Sequence, residues 1–448
     1  MNDHVFYRNL RKNYLVVERG EGIYLYDRDG RKYIDACAGA AVVNVGHAHP
    51  KVLAAMAEQA KKISFAHLSR WTSEPLQKLA GQVAELAPGD LNKLYLVSGG
   101  SEATEAALKM ARQYFLERDG KSGKYKVVSR WQSYHGSTIG ALSMTGDRRR
   151  QKFTPLLLDF PHIAPAFCYH CTFGLAPESC GLRCAYELEK IIKLHGPDTI
   201  AAFIAEPVVG AACGAVAPPP GYFKIIREIC DRYDILLIAD EVMTGFGRTG
   251  SMFAIEQFGV VPDLLCVAKG MSSGYIPLGG VIAKESIYNV FKNGSGAFVH
   301  GHTYGGNPLA AAVAVAVTEV LLEEKLVENA RETGAYMLGR LQEALGYISI
   351  VGDVRGKGLL LGVELVAEKE GRKPFPPELN VAEKATQKLI DHGVVVYPGT
   401  GTVDGVAGDH FLLAPPLVIN REQVDELVER LAAGLLELEK EMSGKQNG

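Results

Sequence analysis

Ile235-Leu236-Leu237-Ile238-Ala239-Asp240-Glu241 and Asp263-Leu264-Leu265-Cys266-Val267-Ala268-Lys269-Gly270 share one pattern, an apolar run that stops abruptly at a charge. An unbroken apolar run is how a parallel strand covered on both faces reads. Ligands of open α/β sheets sit at the carboxyl ends of such strands, so Asp240 and Lys269 fall where a ligand would lie. Working outward, further short apolar runs occupy residues 94–97, 127–129, 201–204 and 280–283, with helical segments between most of them. One helix is expected to begin at Ser101, one at Gly221, and one after Asn307-Pro308, where Asn is a favoured N-cap and Pro a favoured first residue. The expected class is α/β, a mostly parallel sheet with helices on both faces.

Farther out, Gly22-Ile23-Tyr24-Leu25-Tyr26, a turn at Asp27-Arg28-Asp29-Gly30 and Lys32-Tyr33-Ile34-Asp35 read as a hairpin. The composition changes near Leu326, where a charged amphipathic helix runs to Gln342. Strand signals follow at 359–365 and 394–396. A last helix starts at Asn420 with Gln423 three residues on, a capping-box pattern. Its apolar face is Val424, Leu427, Val428, Leu431, Leu435 and Leu438. The division is therefore an N-terminal segment 1–59, a large domain 60–325 and a smaller α+β domain 326–448, with a frayed tail from Ser443.

The 448 residues suit two or three domains, and 47% hydrophobic with 22% charged residues is ordinary globular composition. A net charge of −3 gives no basic excess for nucleic acid or anionic lipid. Met1-Asn2-Asp3-His4 opens no signal-peptide pattern, and the longest apolar stretch, 309–322, is too short to span a bilayer. Eight cysteines in so long a chain do not make a disulfide scaffold. A soluble cytoplasmic protein is the expectation.

Four places carry chemistry. Asp240, at a strand end, is expensive to bury without a partner, and a helix cap or salt bridge is its plain explanation. The Gly-rich loop Thr244-Gly245-Phe246-Gly247-Arg248-Thr249-Gly250 permits close backbone approach. Lys269 either snorkels or reacts, since a lysine in a cleft can have its pKa lowered and form a Schiff base. Ser98-Gly99-Gly100-Ser101-Glu102-Ala103 passes from strand to helix through a small-residue turn, an anion site or simply a tight turn. No Gly-Lys-Ser/Thr follows, so it is not a P-loop. Tyr134, in Trp131-Gln132-Ser133-Tyr134-His135-Gly136, stacks on a flat ring or edges the core. One ligand meets all four demands, with its phosphate, aromatic ring, ring atom wanting a carboxylate and aldehyde wanting a lysine. It is pyridoxal 5′-phosphate.

Asp240-Glu241-Val242-Met243-Thr244-Gly245-Phe246-Gly247-Arg248-Thr249-Gly250, then Ala268-Lys269-Gly270 and Pro277-Leu278-Gly279-Gly280, resembles the class III pyridoxal-phosphate aminotransferases, the omega-aminotransferases. Asn44-Val45-Gly46-His47, Tyr134-His135-Gly136, Ala205-Glu206-Pro207, His302-Thr303-Tyr304 and Ala414-Pro415-Pro416-Leu417 extend the resemblance over nearly the whole chain. It implies a fold-type I homodimer (a tetramer being the alternative) with sites at the subunit interface. It implies Lys269 as the Schiff-base lysine and Asp240 as partner of the pyridine nitrogen. Val242 and Tyr134 would pack on the two ring faces, and Gly100 and Ser101 would hold the phosphate. Thr303 would reach that phosphate from the neighbouring subunit. Glu206 would lie near the ring substituents, and His135 is counted with the cofactor-binding residues. Asp240 would keep the ring an electron acceptor, and the freed Lys269 would be the proton-moving base. The activity implied is ping-pong transfer of an amino group from an omega-amine or omega-amino acid to a keto acid, pyruvate first among them. Decarboxylating transaminases and aminomutases share the apparatus, and carbon dioxide release or the need for a second keto acid tells them apart. A non-catalytic cofactor-binding protein is the reading from another class, and the presence of Lys269 and Asp240 argues against it.

Two departures stand out. Many class III enzymes bind the acceptor carboxylate with an arginine in the loop before Pro-Pro, but residues 396–410 contain none. Phe65, Trp71 and Tyr24 are candidates to line an amine pocket or to pack in the core. Cys168, Cys171, Cys180 and Cys184 are spaced like a small metal knuckle, with free thiols or a redox disulfide as the alternatives and no metal assigned to the active site.

Overall fold

The computed structural model describes residues 4–120 and 123–444. In chain order its strands are β1 (Val17–Glu21), β2 (Tyr24–Asp27), β3 (Lys32–Asp35), β4 (Leu91–Val97), β5 (Lys126–Arg130), β6 (His162–Ile163), β7 (Ile200–Ala205), β8 (Leu236–Asp240), β9 (Leu264–Val267), β10 (Gly279–Lys284), β11 (Val351–Lys357), β12 (Leu360–Leu365), β13 (Val394–Val395), β14 (Tyr397–Val403) and β15 (Ala407–Leu413). The central sheet has the order β4-β10-β9-β8-β7-β5-β6. Neighbours from β9 to β6 run parallel, and β10 is antiparallel to both β9 and β4. The α/β class and the mostly parallel sheet are as the apolar runs predict.

Alternation along the strands explains why those runs are unbroken. Phe203, Leu237, Ala239, Leu265 and Val267 join one core cluster. Ala202, Ile204, Ile238, Leu264 and Cys266 join another on the opposite face. The small-residue side of helix Gly100–Asp119 (Ala103, Ala106, Ala107) covers the second face. Helix Pro308–Glu323 packs into the first cluster. Its start is capped as expected, with the Ala310 N–H donating to Asn307 Oδ1 at 3.0 Å. No helix of the described residues is long and apolar enough to cross a membrane.

The C-terminal portion carries the antiparallel sheet β11-β12-β15-β14 and helices Leu326–Leu345, Val381–Asp391 and Arg421–Gly444. The capping box forms reciprocally. Gln423 N–H donates to Asn420 Oδ1 at 2.9 Å, and Asn420 N–H to Gln423 Oε1 at 3.1 Å. β3 pairs in parallel with β13, so the N-terminal hairpin belongs with this C-terminal portion.

Three expectations change. Residues 396–410 are not a loop, since most of them form β14 and the start of β15. Pro398 is tolerated there because β14 is an edge strand. β11 was not expected, because its sequence Val-Gly-Asp-Val-Arg-Gly-Lys lacks an apolar run. The C-terminal helix runs through Ser443 to Gly444, where a frayed tail was expected to begin, and the rest of that expectation, residues 445–448, lies outside the described residues. The start of the N-terminal reading, residues 1–3, also lies outside them.

Candidate active site

At the carboxyl ends of β4, β7, β8 and β9 lies a cavity of about 380 Å3. Asp240, Lys269, Glu206 and Val242 line it, as do Gly100, Ser101, Tyr134 and His135. Five segments far apart in sequence thus meet at one cavity. Only Thr303, of the nine residues singled out, stands outside this cavity of its own chain, and it is exposed. Its neighbour His302 packs on the strand-to-helix turn after β4, with Nε2 3.1 Å from both the Ser98 N and the Ser98 Oγ.

Asp240 is almost fully buried but not unpartnered. His135 Nδ1–H donates to its Oδ2 at 2.7 Å, and the Val242 N–H donates to Oδ1 at 3.1 Å. Next to it, Glu206 accepts from the Tyr134 N–H at 3.1 Å and the Gly210 N–H at 3.2 Å. Burial pushes the Glu206 carboxyl above its ordinary value. Lys269 is half-buried at the end of β9, where the backbone turns through φ 44°. That left-handed conformation costs a residue with a Cβ ~1–2 kcal/mol, a strain typical of functional turns. Burial, the largest influence, pulls the Lys269 amine from 10.5 down to about 8, against the opposing pull of Asp240 and Glu206.

Helix Gly100–Asp119 starts with no side-chain cap, so its first N–H groups are available to an anion. The turn there is close-packed. A Cβ on Gly100 would lie 2.7 Å from Val242 Cγ1, and one on Gly136 (φ 137°) 2.7 Å from Ser101 Oγ.

Other motif residues serve the Lys269 turn from behind. A Cβ on Gly270 would lie 2.3 Å from Asn44 Nδ2. Asn44 donates to Phe246 O at 2.7 Å and accepts from Arg248 Nη2 at 2.6 Å. Arg248, fully buried, also donates through Nη1 to Leu359 O at 3.1 Å and Pro415 O at 2.5 Å. It ties the early Asn44 motif, the Gly-rich loop and the late Pro-Pro motif together.

Sequence reading missed Val42, Met243, Ser272 and Ile276, which also line the cavity. No local signal marks the first, but Met243 and Ile276 sit inside or beside quoted motifs. The aromatic candidates fall elsewhere. Tyr24 packs against the core, with its hydroxyl 3.4 Å from Glu426. Phe65 and Trp71 are exposed on this chain, Phe65 edge-on to Tyr304. Cys168, Cys171, Cys180 and Cys184 surround one cavity of about 20 Å3 and are free thiols. Among the described residues no three His, Cys, Asp or Glu side chains converge to hold a metal ion.

The sequence model of the family Aminotransferase class-III matches residues 6–435. The chain is a class III aminotransferase. It is 39% identical to the uncharacterized aminotransferase YodT of Bacillus subtilis, over 99% of both chains. It is 38% identical to the putrescine–pyruvate aminotransferase of Pseudomonas aeruginosa, over 92% of this chain and 88% of that one. Among solved structures, it matches an amine transaminase from an uncultivated Pseudomonas species in its pyridoxal-phosphate-bound internal aldimine form. There the TM-score is 0.90 and the identity 35%, over 98% of each chain. The aminotransferase therefore has the fold-type I architecture of pyridoxal-phosphate-dependent transaminases, as its motifs implied.

Proposed function

We propose that this aminotransferase moves an amino group from an omega-amine or omega-amino acid to a keto acid, pyruvate first, in two half-reactions at one site. One observation carries the reading. Asp240 and Lys269 end adjacent parallel strands and face one cavity, beside the uncapped start of a helix. The pyruvate and the amine donor draw support from the relative that is a putrescine–pyruvate aminotransferase.

The residues present fit pyridoxal phosphate. Gly100 and Ser101 offer backbone N–H groups for the phosphate, with Thr303 of a second copy of the chain as their complement. Val242 and Tyr134 suit the ring faces, Glu206 the ring substituents, and Asp240, steadied by His135, the ring nitrogen. Bound there, the cofactor supplies an aldehyde that takes the amine and a ring that accepts electrons as the substrate C–H bond breaks. Lys269, its amine near 8, is partly neutral at neutral pH, so Nζ takes a proton from the substrate carbon and returns it. Asp240 keeps a proton on the ring nitrogen. We divide the chain at residues 1–59, 60–325 and 326–448 and place its partner, a second copy, over the exposed apolar side chains of Phe6, Leu10, Trp71, Val299 and Tyr304.

Visible absorption of the cofactor-loaded protein tests this. The expected result is a band at ~420 nm that moves to ~330 nm with an amine and returns with pyruvate. A band that Lys269→Ala leaves unchanged, or one no amine moves, rejects the reading. Carbon dioxide release without a second keto acid would redirect it to a decarboxylating enzyme.

A further inference from the structure

Resting on the transamination just proposed, a second question is what seats the carboxylate of an amino acid or keto acid beside Lys269. Among the described residues no arginine lines the Lys269 cavity, and three nearby arginines are already engaged. Arg130 is buried and donates to Glu206 O at 2.5 Å. Arg248 is spent on Asn44, Leu359 and Pro415. Arg355 pairs with Asp353 at 2.8 Å and Glu364 at 2.7 Å, and donates to the carbonyls of Cys213 and Gly214.

Arg149 is different. It stands in the first turn of the 3-10 segment Arg148–Leu156, where its N–H is capped by Asp147 at 2.8 Å. Its guanidinium lies 4.8 Å from the centre of the Tyr134 ring, a wall of the Lys269 cavity. It is close enough to Lys269 for its charge to lower that amine. Its ion partner is Asp147, and a third of its side chain is exposed. Its neighbour Arg150 turns away, against the Trp131 ring and His162.

Arg149 also lines a second, polar cavity of about 630 Å3, bordered by Gly399 and Thr400 of β14. Arg8 and Arg148 share that cavity with the carboxylates of Asp147, Glu383 and Asp409. Glu383 is neutralised by Lys12 at 2.7 Å. Asp409 is buried, accepts the Ala382 N–H at 3.0 Å, and is pushed by burial toward its neutral form. The balance is positive, which favours an anion.

We propose that Arg149 receives the carboxylate of the amino acid or keto acid substrate between the two cavities, exchanging Asp147 for it while Tyr134 supports its guanidinium. A guanidinium grips a carboxylate through two parallel N–H bonds, and an aromatic face beside it restricts its motion. A substrate lacking a carboxylate gains nothing from it, so Arg149 sets specificity and takes no part in proton transfer.

The test compares cofactor-loaded wild type with Arg149→Met, Arg149→Lys and Arg150→Met. Calorimetric titration with propionate, an unreactive carboxylate, reads binding without turnover. Single turnovers of the aminated enzyme with pyruvate and with butanal read recognition with and without a carboxylate. The expected result for Arg149→Met is a loss of about tenfold or more in propionate affinity and a similar rise in the KM for pyruvate. Its kcat with pyruvate and its butanal reaction should stay near wild type. Arg149→Lys should recover part of the loss, and Arg150→Met, at a side chain turned away from both cavities, should resemble wild type. Equal losses for pyruvate and butanal, or propionate binding that is absent from wild type or unchanged in Arg149→Met, overturn the proposal. Wild type that binds propionate through Arg149 yet turns over no keto acid sinks the transamination reading instead and leaves the assignment standing.

Discussion

The amine of Lys269 is an energetic burden on the folded chain, and removing it should make the cofactor-free protein more stable. A lysine whose pKa falls from 10.5 to about 8 on folding is disfavoured as an ammonium by ~3 kcal/mol. Because Lys269 is only half-buried, water in the cavity reduces the expected figure to ~1–3 kcal/mol. Below pH 8 the folded and unfolded chains both carry the proton, and the penalty is present in full. Between pH 8 and 10.5 the unfolded chain binds more protons than the folded one, so stability contributed at this site rises with pH. Lys269→Met fills similar space without a charge. Its advantage over wild type should therefore be largest at pH 7 and shrink below ~1 kcal/mol by pH 10. Urea unfolding of both cofactor-free proteins, followed by circular dichroism at the two pH values, isolates this group because other titrations cancel in the difference. A variant no more stable at pH 7, or an advantage that does not change with pH, would refute the claim that burial depresses Lys269.

Arg248→Met should lose about 3–5 kcal/mol in urea unfolding at pH 7, because it leaves Leu359 O, Pro415 O and Asn44 Oδ1 buried without their donor. Arg248→Lys should rescue little, since an ammonium cannot reach three acceptors in the plane of a guanidinium. Asn420→Ala removes a cap from the last helix and should lower stability by about 1 kcal/mol in the same assay. Gly100→Ala brings a methyl to 2.7 Å from Val242 Cγ1, so cofactor affinity in a fluorescence titration should fall about tenfold or more. Adding Val242→Ala should restore part of it, and no restoration would mean the clash is not the cause.

What the sequence made legible follows from how each element is buried. β8 and β9 are covered on both faces, so every position is apolar until the chain reaches the cavity and ends in Asp240 or, just beyond β9, Lys269. That abrupt change is local and can be read. β14, Tyr-Pro-Gly-Thr-Gly-Thr-Val, is an edge strand with small residues that let His410 pack close. A Cβ on Gly399 would lie 2.2 Å from His410 Nε2. Glycine at that contact and proline on the open edge resemble loop residues, and only the pairing with β15 distinguishes them. Arg149 was illegible for a related reason. Asp147-Arg148-Arg149-Arg150 reads as a solvated charge run, and the separate fates of the three guanidiniums depend on Tyr134, Trp131 and the β14–β15 hairpin.

The Asp240-to-Gly250 motif looks like one functional unit in sequence but divides in space. Asp240 and Val242 face the cavity, whereas Glu241 between them turns inward and accepts the Ala254 N–H at 3.0 Å and the Ile255 N–H at 2.7 Å. Burial pushes the Glu241 carboxyl up to about 7, a cost borne to fix the loop that follows. Arg248 continues the inward side and locks that loop to two distant segments. The two sides should respond differently to substitution. Changes on the inward side should lower stability and activity together, because Asp240 and the Lys269 turn rest on them. Changes on the cavity side should abolish activity while leaving stability unchanged or, at Lys269, raised. Functional groups held at a cleft against their own preference for water carry that strain only while the inward side is intact. A motif match therefore identifies the family, and burial separates the residues that face the cavity from those that hold the loop.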